Sequence, residues 1–298
     1  MRVCRSKVVF CSFLAVAALT AITFAQQQGA AKSPANQAGT SQAASKPKLY
    51  NTAKQKLLDG KQVFSFTQYK DDVADYCEHA KHYDYAWFEM QHSTLEFKDI
   101  EKMIAACPHA GASPMIRLPD AQEWHIQHAT DIGALGVIVP TVDDVDRARE
   151  AAKWSHYPPM GRRSSGMRQA DGLWDPMHYH DTINDNMLVV VMVETPTGVA
   201  NAYDIASVPG VDVVIMGNGD LTYFSGYKRT DDYYHELVQK THDAVLRAGK
   251  IFGQADARFA KGPYSADSYF FQNGPSNDGW VPPNSTPGSQ NAVPKGEQ

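Results

Sequence analysis

Four cysteines in 298 residues and no surplus of basic charge remove several classes of protein at once. Lysine and arginine number 28 against 33 acidic residues, for a net charge of -5, and the basic residues are scattered. A nucleic-acid partner needs a clustered positive footprint, so none is expected. The strings GxGxxG, GxxxxGKS/T, GxSxG and HExxH are all missing, which leaves nucleotide-binding, serine-hydrolase and zinc-peptidase chemistries without their motifs. No lysine closes an apolar run, Lys70 excepted, so an imine mechanism lacks its nucleophile. Beyond the first 25 residues nothing is apolar enough to span a bilayer.

What is present begins with a targeting signal. Arg2, Arg5 and Lys7 precede VVFCSFLAVAALTAITFA, which ends in small residues before QQQ, so residues 1–25 read as a secretory signal cleaved after Ala25. The expected location is periplasmic or secreted, with an uncleaved N-terminal anchor as the other reading. Residues 26–47 are small and polar with no hydrophobic period, a flexible linker, and the tail from Pro282 to residue 298 reads likewise as disordered. A single folded domain over 48–281 remains, and 43% apolar residues suffice for one large core. Of the cysteines only Cys77 and Cys107 survive signal removal. Both sit near the ends of neighbouring predicted helices, where a disulfide or two buried thiols would fit.

Inside the domain, short apolar runs alternate with helical periodicity, the pattern of parallel strands joined by crossover helices. Strands are expected at 63–68, 85–89, 113–117, 136–140, 188–194, 211–217, 250–254 and 268–272, and helices at about 71–80, 97–107, 123–132, 143–154, 198–206 and 231–248. Eight such alternations point to an α/β fold, a (β/α)8 TIM barrel, in preference to an open doubly wound sheet. After Trp280 prolines replace any eighth helix, and DARFAKGPYSAD barely supports the seventh. The long stretch 155–187 is expected as a loop over the barrel mouth.

Chemistry-bearing residues fall at strand ends. Glu89, Arg117 and Glu194 close apolar runs, and His92 and Asp220 follow within three residues, where a barrel gathers its catalytic groups. A carboxylate delivered by LVVVMVE needs a cation or hydrogen bonds; capping the helix after ETPTG is the competing role for Glu194. MGNGD puts Asp220 after two glycines, suited to a close backbone approach or simply to a tight turn with an N-cap. Two carboxylates with open positions suit a hard divalent metal cation, Mg or Mn first, with Co as a further choice. Arg117 could hold a carboxylate or enolate oxygen, or pair with an acid. His92 could move protons near neutral pH, or be a hydrogen-bonded core histidine. HYH at 178–180 is a weak metal signal.

Two extended blocks, DIGALGVIVPTVDDVDRAREAAKWSHYPPMGRRSSG (131–166) and VMVETPTGVANAYDIASVPGVDVVIMGNGDLTYFSGY (191–227), make residues 57–279 resemble the HpcH/HpaI aldolase/citrate lyase family, particularly its metal-dependent 4-hydroxy-2-oxoheptanedioate and 2-dehydro-3-deoxyglucarate aldolases. The resemblance implies a barrel of the phosphoenolpyruvate/pyruvate-binding type. It implies Glu194 and Asp220 as metal ligands, Arg117 on the oxo oxygen, His92 as acid or base, and the backbone of Gly219 and Asp220 on the substrate carboxylate. Glu89 and Gln91 would line the substrate, and Asp131 would orient a histidine or pack a subunit contact.

The implied reaction is carbon–carbon cleavage of a 4-hydroxy-2-oxo acid to a pyruvate enolate and an aldehyde, with small 2-oxo acids and aldehydes as partners and a homo-oligomer as the working form. A metal- and carboxylate-binding barrel without turnover, or a lyase or hydrolase acting on a C–O bond, are the other readings. The chain departs from the family at EMQH (89–92) for a DGEH-like string, Met192 in place of a polar amide, and Asn218 in place of proline.

Overall fold

Valine-rich runs buried on both sides pair in parallel when crossover helices cover their outer faces. The computed structural model describes residues 49–166, 168–256, 264 and 266–283, and there the runs form a closed barrel. Its strands are β1 (Val63–Gln68), β2 (Tyr85–Glu89), β3 (Ser113–Arg117), β4 (Gly136–Val139), β5 (Leu188–Val193), β6 (Val213–Met216), β7 (Ile251–Asp256) and β8 (Ser268–Asn273). Each pairs in parallel with the next, and Val63 opposite Phe270 closes the ring between β1 and β8.

The helices are α1 (Thr52–Leu58), α2 (Val73–His79), α3 (Phe97–Ala106), α4 (Glu123–Asp131), α5 (Val145–Ser155), α6 (Arg168–Trp174), α7 (Tyr179–Asn186), α8 (Pro196–Ala200), α9 (Ala202–Ala206), α10 (Asn218–Ser225) and α11 (Asp232–Arg247). Side chains that stop the chain from continuing as coil set several starts: Asp72 accepts from the N–H of Asp75, Asp144 from Arg147, and Thr195 from Gly198 with Pro196 in the first turn. Gly226, at φ 75°, ends α10 in the left-handed conformation that glycine adopts without penalty.

Alternation along each strand makes two cores. Tyr85, Trp87, Met115, Ile138, Leu188, Val190, Met192, Ile215 and Phe270 fill the barrel, and Ala53 and Leu57 of α1 join them from below. The intervening residues Ala86, Phe88, Ile116, Val137, Val189, Val191 and Val214 face the helical shell. Each fully buried aliphatic side chain contributes about 1.5–3 kcal/mol, so this double layer is the main source of stability.

The stretch 155–187 does not cover the mouth. It carries α6 and α7, and it leaves the C-terminal end of α5 to reach the start of β5, which places it at the opposite, N-terminal face. Trp174 donates to Gly133 O and Gln169 to Ile132 O, both just before β4 begins, and Asn51 binds Asn186 through its backbone and side chain. The order of crossing dictates this: a helix that returns from the mouth ends at the bottom. Glycine and histidine composition carried no information about which face.

Cys77 and Cys107 form a disulfide with Cα atoms 5.8 Å apart, joining α2 to the C-cap of α3. Among the described residues no helix follows β8 and none is long and apolar enough to cross a membrane. The signal over 1–25, the linker over 26–47, most of the expected seventh helix (257–263 and 265) and the tail from 284 lie outside the described residues.

Candidate active site

The inward series in three strands runs two residues further than the apolar core. Tyr85 and Trp87 lead to Glu89, Met115 leads to Arg117, and Leu188, Val190 and Met192 lead to Glu194. Period-two geometry therefore delivers two acids and a guanidinium to one place, above the barrel packing. All three are buried. The same step on β6 reaches Gly217, where a Cβ would lie 2.2 Å from Glu194 Oε2. Only glycine leaves that carboxylate its space.

Charge balances within the group. Arg117 Nη1 donates to Glu89 Oε2 at 3.2 Å, and Nη2 lies 3.9 Å from Glu194 Oε2. Glu89 is fully engaged by the protein: Oε1 accepts from the backbone N–H groups of Gln91 at 3.0 Å and His92 at 3.1 Å, and Oε2 also accepts from the Trp87 indole at 3.0 Å. An acid held this way orients Arg117 and the turn carrying His92, and a ligand would have to displace one of those donors to reach it. Arg117 Nε is buried with no hydrogen-bond partner among the described residues, as is Gln91 Oε1. Buried donors and acceptors left open beside strand ends are what a polar ligand satisfies.

Glu194 is held from one side. Its Oε1 accepts from the backbone N–H of Thr141 at 2.7 Å and from the Thr141 hydroxyl at 3.3 Å. Burial pushes its pKa up to about 7; Arg117 and the Thr141 amide pull against this, while Asp220, close enough for a side-chain hydrogen bond, adds to the rise. The helix-capping role falls to Thr195, so Glu194 is free of it. Asp220 occupies the first turn of α10 rather than its cap, which is Gly217. The first-turn N–H groups of an α-helix have no intrahelical acceptors, and Gly219 and Asp220 both fall in that turn.

The other expected residues divide. His92 sits exposed at the rim, so it is not a core histidine, and no described residue bonds its ring. His178 caps α7 and His180 packs on Tyr157, both at the far face, which removes HYH from the chemistry. Asp131 pairs with buried Arg163 at 3.0 Å, fastening the 155–187 segment. Met192 fills the barrel interior below Glu194, and Asn218 donates to the Tyr234 hydroxyl at 2.8 Å. Sequence reasoning missed Thr141. Its signal was its place in VIVPT, two residues past the end of β4, and its backbone at φ 50° is an unusual conformation for a β-branched residue.

A divalent cation fits this donor set. Two carboxylates converge, one just past β5 and one in α10; burial, only partly offset by Arg117 and the Thr141 amide, raises the proton affinity of Glu194, and Gly217 keeps space beside its Oε2. Among the described residues no cluster of three or more His, Cys, Asp or Glu gathers, so remaining positions would belong to water and substrate oxygens.

Fold and site together define a closed parallel barrel that gathers buried acids and a guanidinium at its strand ends. The sequence model of the HpcH/HpaI aldolase/citrate lyase family matches residues 64–261. The chain belongs to that family and is an enzyme of the aldolase type. It is 34% identical to a 2-dehydro-3,6-dideoxy-6-sulfogluconate aldolase of Pseudomonas putida over 172 residues, covering 57% of this chain and 66% of that one. It is 29% identical to a hydroxypyruvate/pyruvate aldolase of Roseovarius nubinhibens, over 70% of this chain and 82% of the other. The crystal structure of an HpcH/HpaI aldolase from Desulfitobacterium hafniense superposes with a TM-score of 0.65 at 27% identity, over 74% of this chain and 90% of that one.

Proposed function

We propose that this protein is a divalent-metal-dependent lyase that cleaves a 4-hydroxy-2-oxo acid into a pyruvate-type acid and an aldehyde, outside the cytoplasm. The convergence of Glu194 and Asp220 beside Arg117 carries the reading. Aldolase activity on small oxo acids in the relatives supports it. When bound by Glu194 and Asp220, the cation supplies Lewis-acid polarisation of the 2-oxo group.

The chain's own residues supply the rest. The N-terminal turn of α10, with the amides of Gly219 and Asp220, binds the substrate carboxylate. Arg117, fixed by Glu89, offers its open Nε to oxygen that gains negative charge as the C3–C4 bond breaks. The C4 hydroxyl loses its proton, the C3–C4 electron pair passes to C3, and C3 then takes a proton. His92, at the wet rim, relays both protons through water. Gln91 presents its open Oε1 toward a substrate hydroxyl.

Export is supported by the charged and apolar N-terminus and by the Cys77–Cys107 bond, which persists in oxidising compartments. The test is pyruvate release from a panel of 4-hydroxy-2-oxo acids by chelator-treated protein, with and without Mn or Mg. Release restored by the metal and abolished in Glu194→Ala is expected. No release from any panel member, or release unchanged in Glu194→Ala, defeats the reading.

A further inference from the structure

The face of α10 that carries Asp220 continues past the site. Asp220, Tyr223 and Phe224 follow at steps of three and four residues, which aligns them on one side of the helix, and Tyr227 lies just past its Gly226 cap. Asn218 and Leu221 occupy the opposite, buried side. Tyr223 is 85% exposed and Phe224 59% exposed, and the Tyr227 ring packs on Tyr233 at 4.6 Å. Folding gains nothing from two large rings in water. A contiguous exposed apolar patch marks a binding surface, and this one begins at a residue of the active site.

Its position selects the ligand. At about 1.5 Å of rise per residue, Tyr223 and Phe224 lie roughly 4.5–6 Å beyond Asp220 along the helix, the reach of a substituent on C4 when the oxo-acid head is held at Asp220 and Arg117. Across the mouth Tyr69, just past β1, adds a ring within electrostatic range of Glu89 and Arg117. We infer, resting on the 2-oxo acid reading above, that the outer subsite takes a flat aromatic substituent, so that the aldehyde half of the substrate is an aryl aldehyde. Cleavage of a 4-aryl-4-hydroxy-2-oxobutanoate then balances without another reactant: C3–C4 breaks, the C4 hydroxyl proton leaves, C4 becomes the aldehyde carbon, and C3 gains a proton to give pyruvate.

Two non-cleavable probes test this, because neither carries a C4 hydroxyl: 4-phenyl-2-oxobutanoate and 2-oxobutanoate. Calorimetric titration of each into the full chain with Mn should show the phenyl compound binding roughly tenfold or more tighter, the gain of seating one ring against aromatic neighbours. The ratio of the two affinities should fall toward one in the Tyr223→Ser/Phe224→Ser double variant and persist in Tyr223→Phe/Phe224→Tyr. Equal affinities in the unaltered protein, or a ratio that survives in the double serine variant, overturn the aromatic subsite and leave the head reading standing. Binding of neither probe overturns both.

Discussion

Thr141 and Glu194 are joined twice, by the Thr141 backbone N–H at 2.7 Å and its hydroxyl at 3.3 Å, and Thr141 holds φ at 50° to do so. A β-branched residue in that region stores about 1–3 kcal/mol of strain, which the surrounding structure must offset. The strain is retained where it fixes Oε1 of Glu194 and leaves Oε2 on the side of Arg117 and Gly217.

Thr141→Val keeps the amide bond and the branched Cβ but deletes the hydroxyl, and should destabilise by about 1–2 kcal/mol. Thr141→Gly loses the same hydrogen bond but relieves the strain, and should cost less than valine does. Chemical denaturation of both variants measures the order. Glycine costing more than valine would show that strain is not stored there.

Glu194 sets a pH dependence. Its folded pKa, near 7, exceeds the ordinary 4.5, so between those values the native state holds the extra proton and stability falls as pH rises. The full penalty, at most about 3.4 kcal/mol, applies above the folded pKa and vanishes below the unfolded one. Metal-free Glu194→Gln should therefore gain stability relative to the unaltered protein at about pH 8 and lose that advantage at about pH 4, as thermal melting over that range reads out. A difference that does not change with pH contradicts the assignment.

Glu89 is the counter-charge that keeps Arg117 in the barrel. Glu89→Ala strips partners from Arg117, the Trp87 indole and the amides of Gln91 and His92. Leaving a buried charge without its partner costs about 3–5 kcal/mol, so this variant should be among the least stable single changes in the mouth. Urea unfolding gives the value, and a loss under about 1 kcal/mol, the worth of an exposed pair, would place the pair in effective contact with water.

The disulfide closes a loop of sequence separation 30. Chain-entropy arguments give about 3–4 kcal/mol for a loop of that size. Cys77→Ser/Cys107→Ser should lower the melting temperature by several degrees, and a reductant should lower that of the unaltered protein but not that of the variant. Melting that ignores the reductant in both would show the bond does not form in solution.

Much of the barrel was legible because burial on both faces writes continuous apolar runs, and the eight strand positions match those runs to within a few residues. Helices α1, α6, α7 and α10 were not, since they are short and draw their stability from contacts such as Asn51 with Asn186 and Trp174 with Gly133. Glu194 and Arg117 could be read from strand ends, because inward parity is a local property. Thr141 could not: its contribution is a backbone amide in a rare conformation, which residue type does not announce. The engagement of Glu89 by four donors also depends on neighbouring strands and a turn, which a single run cannot reveal.

The central claim is that Glu194 and Asp220 jointly hold one divalent cation, and the most direct measurement is a calorimetric titration of Mn into chelator-treated protein. The unaltered protein should bind at one site per chain, and Glu194→Ala and Asp220→Ala, both still folded, should show no measurable binding. Binding that survives in either variant, or none in the unaltered protein, would contradict it.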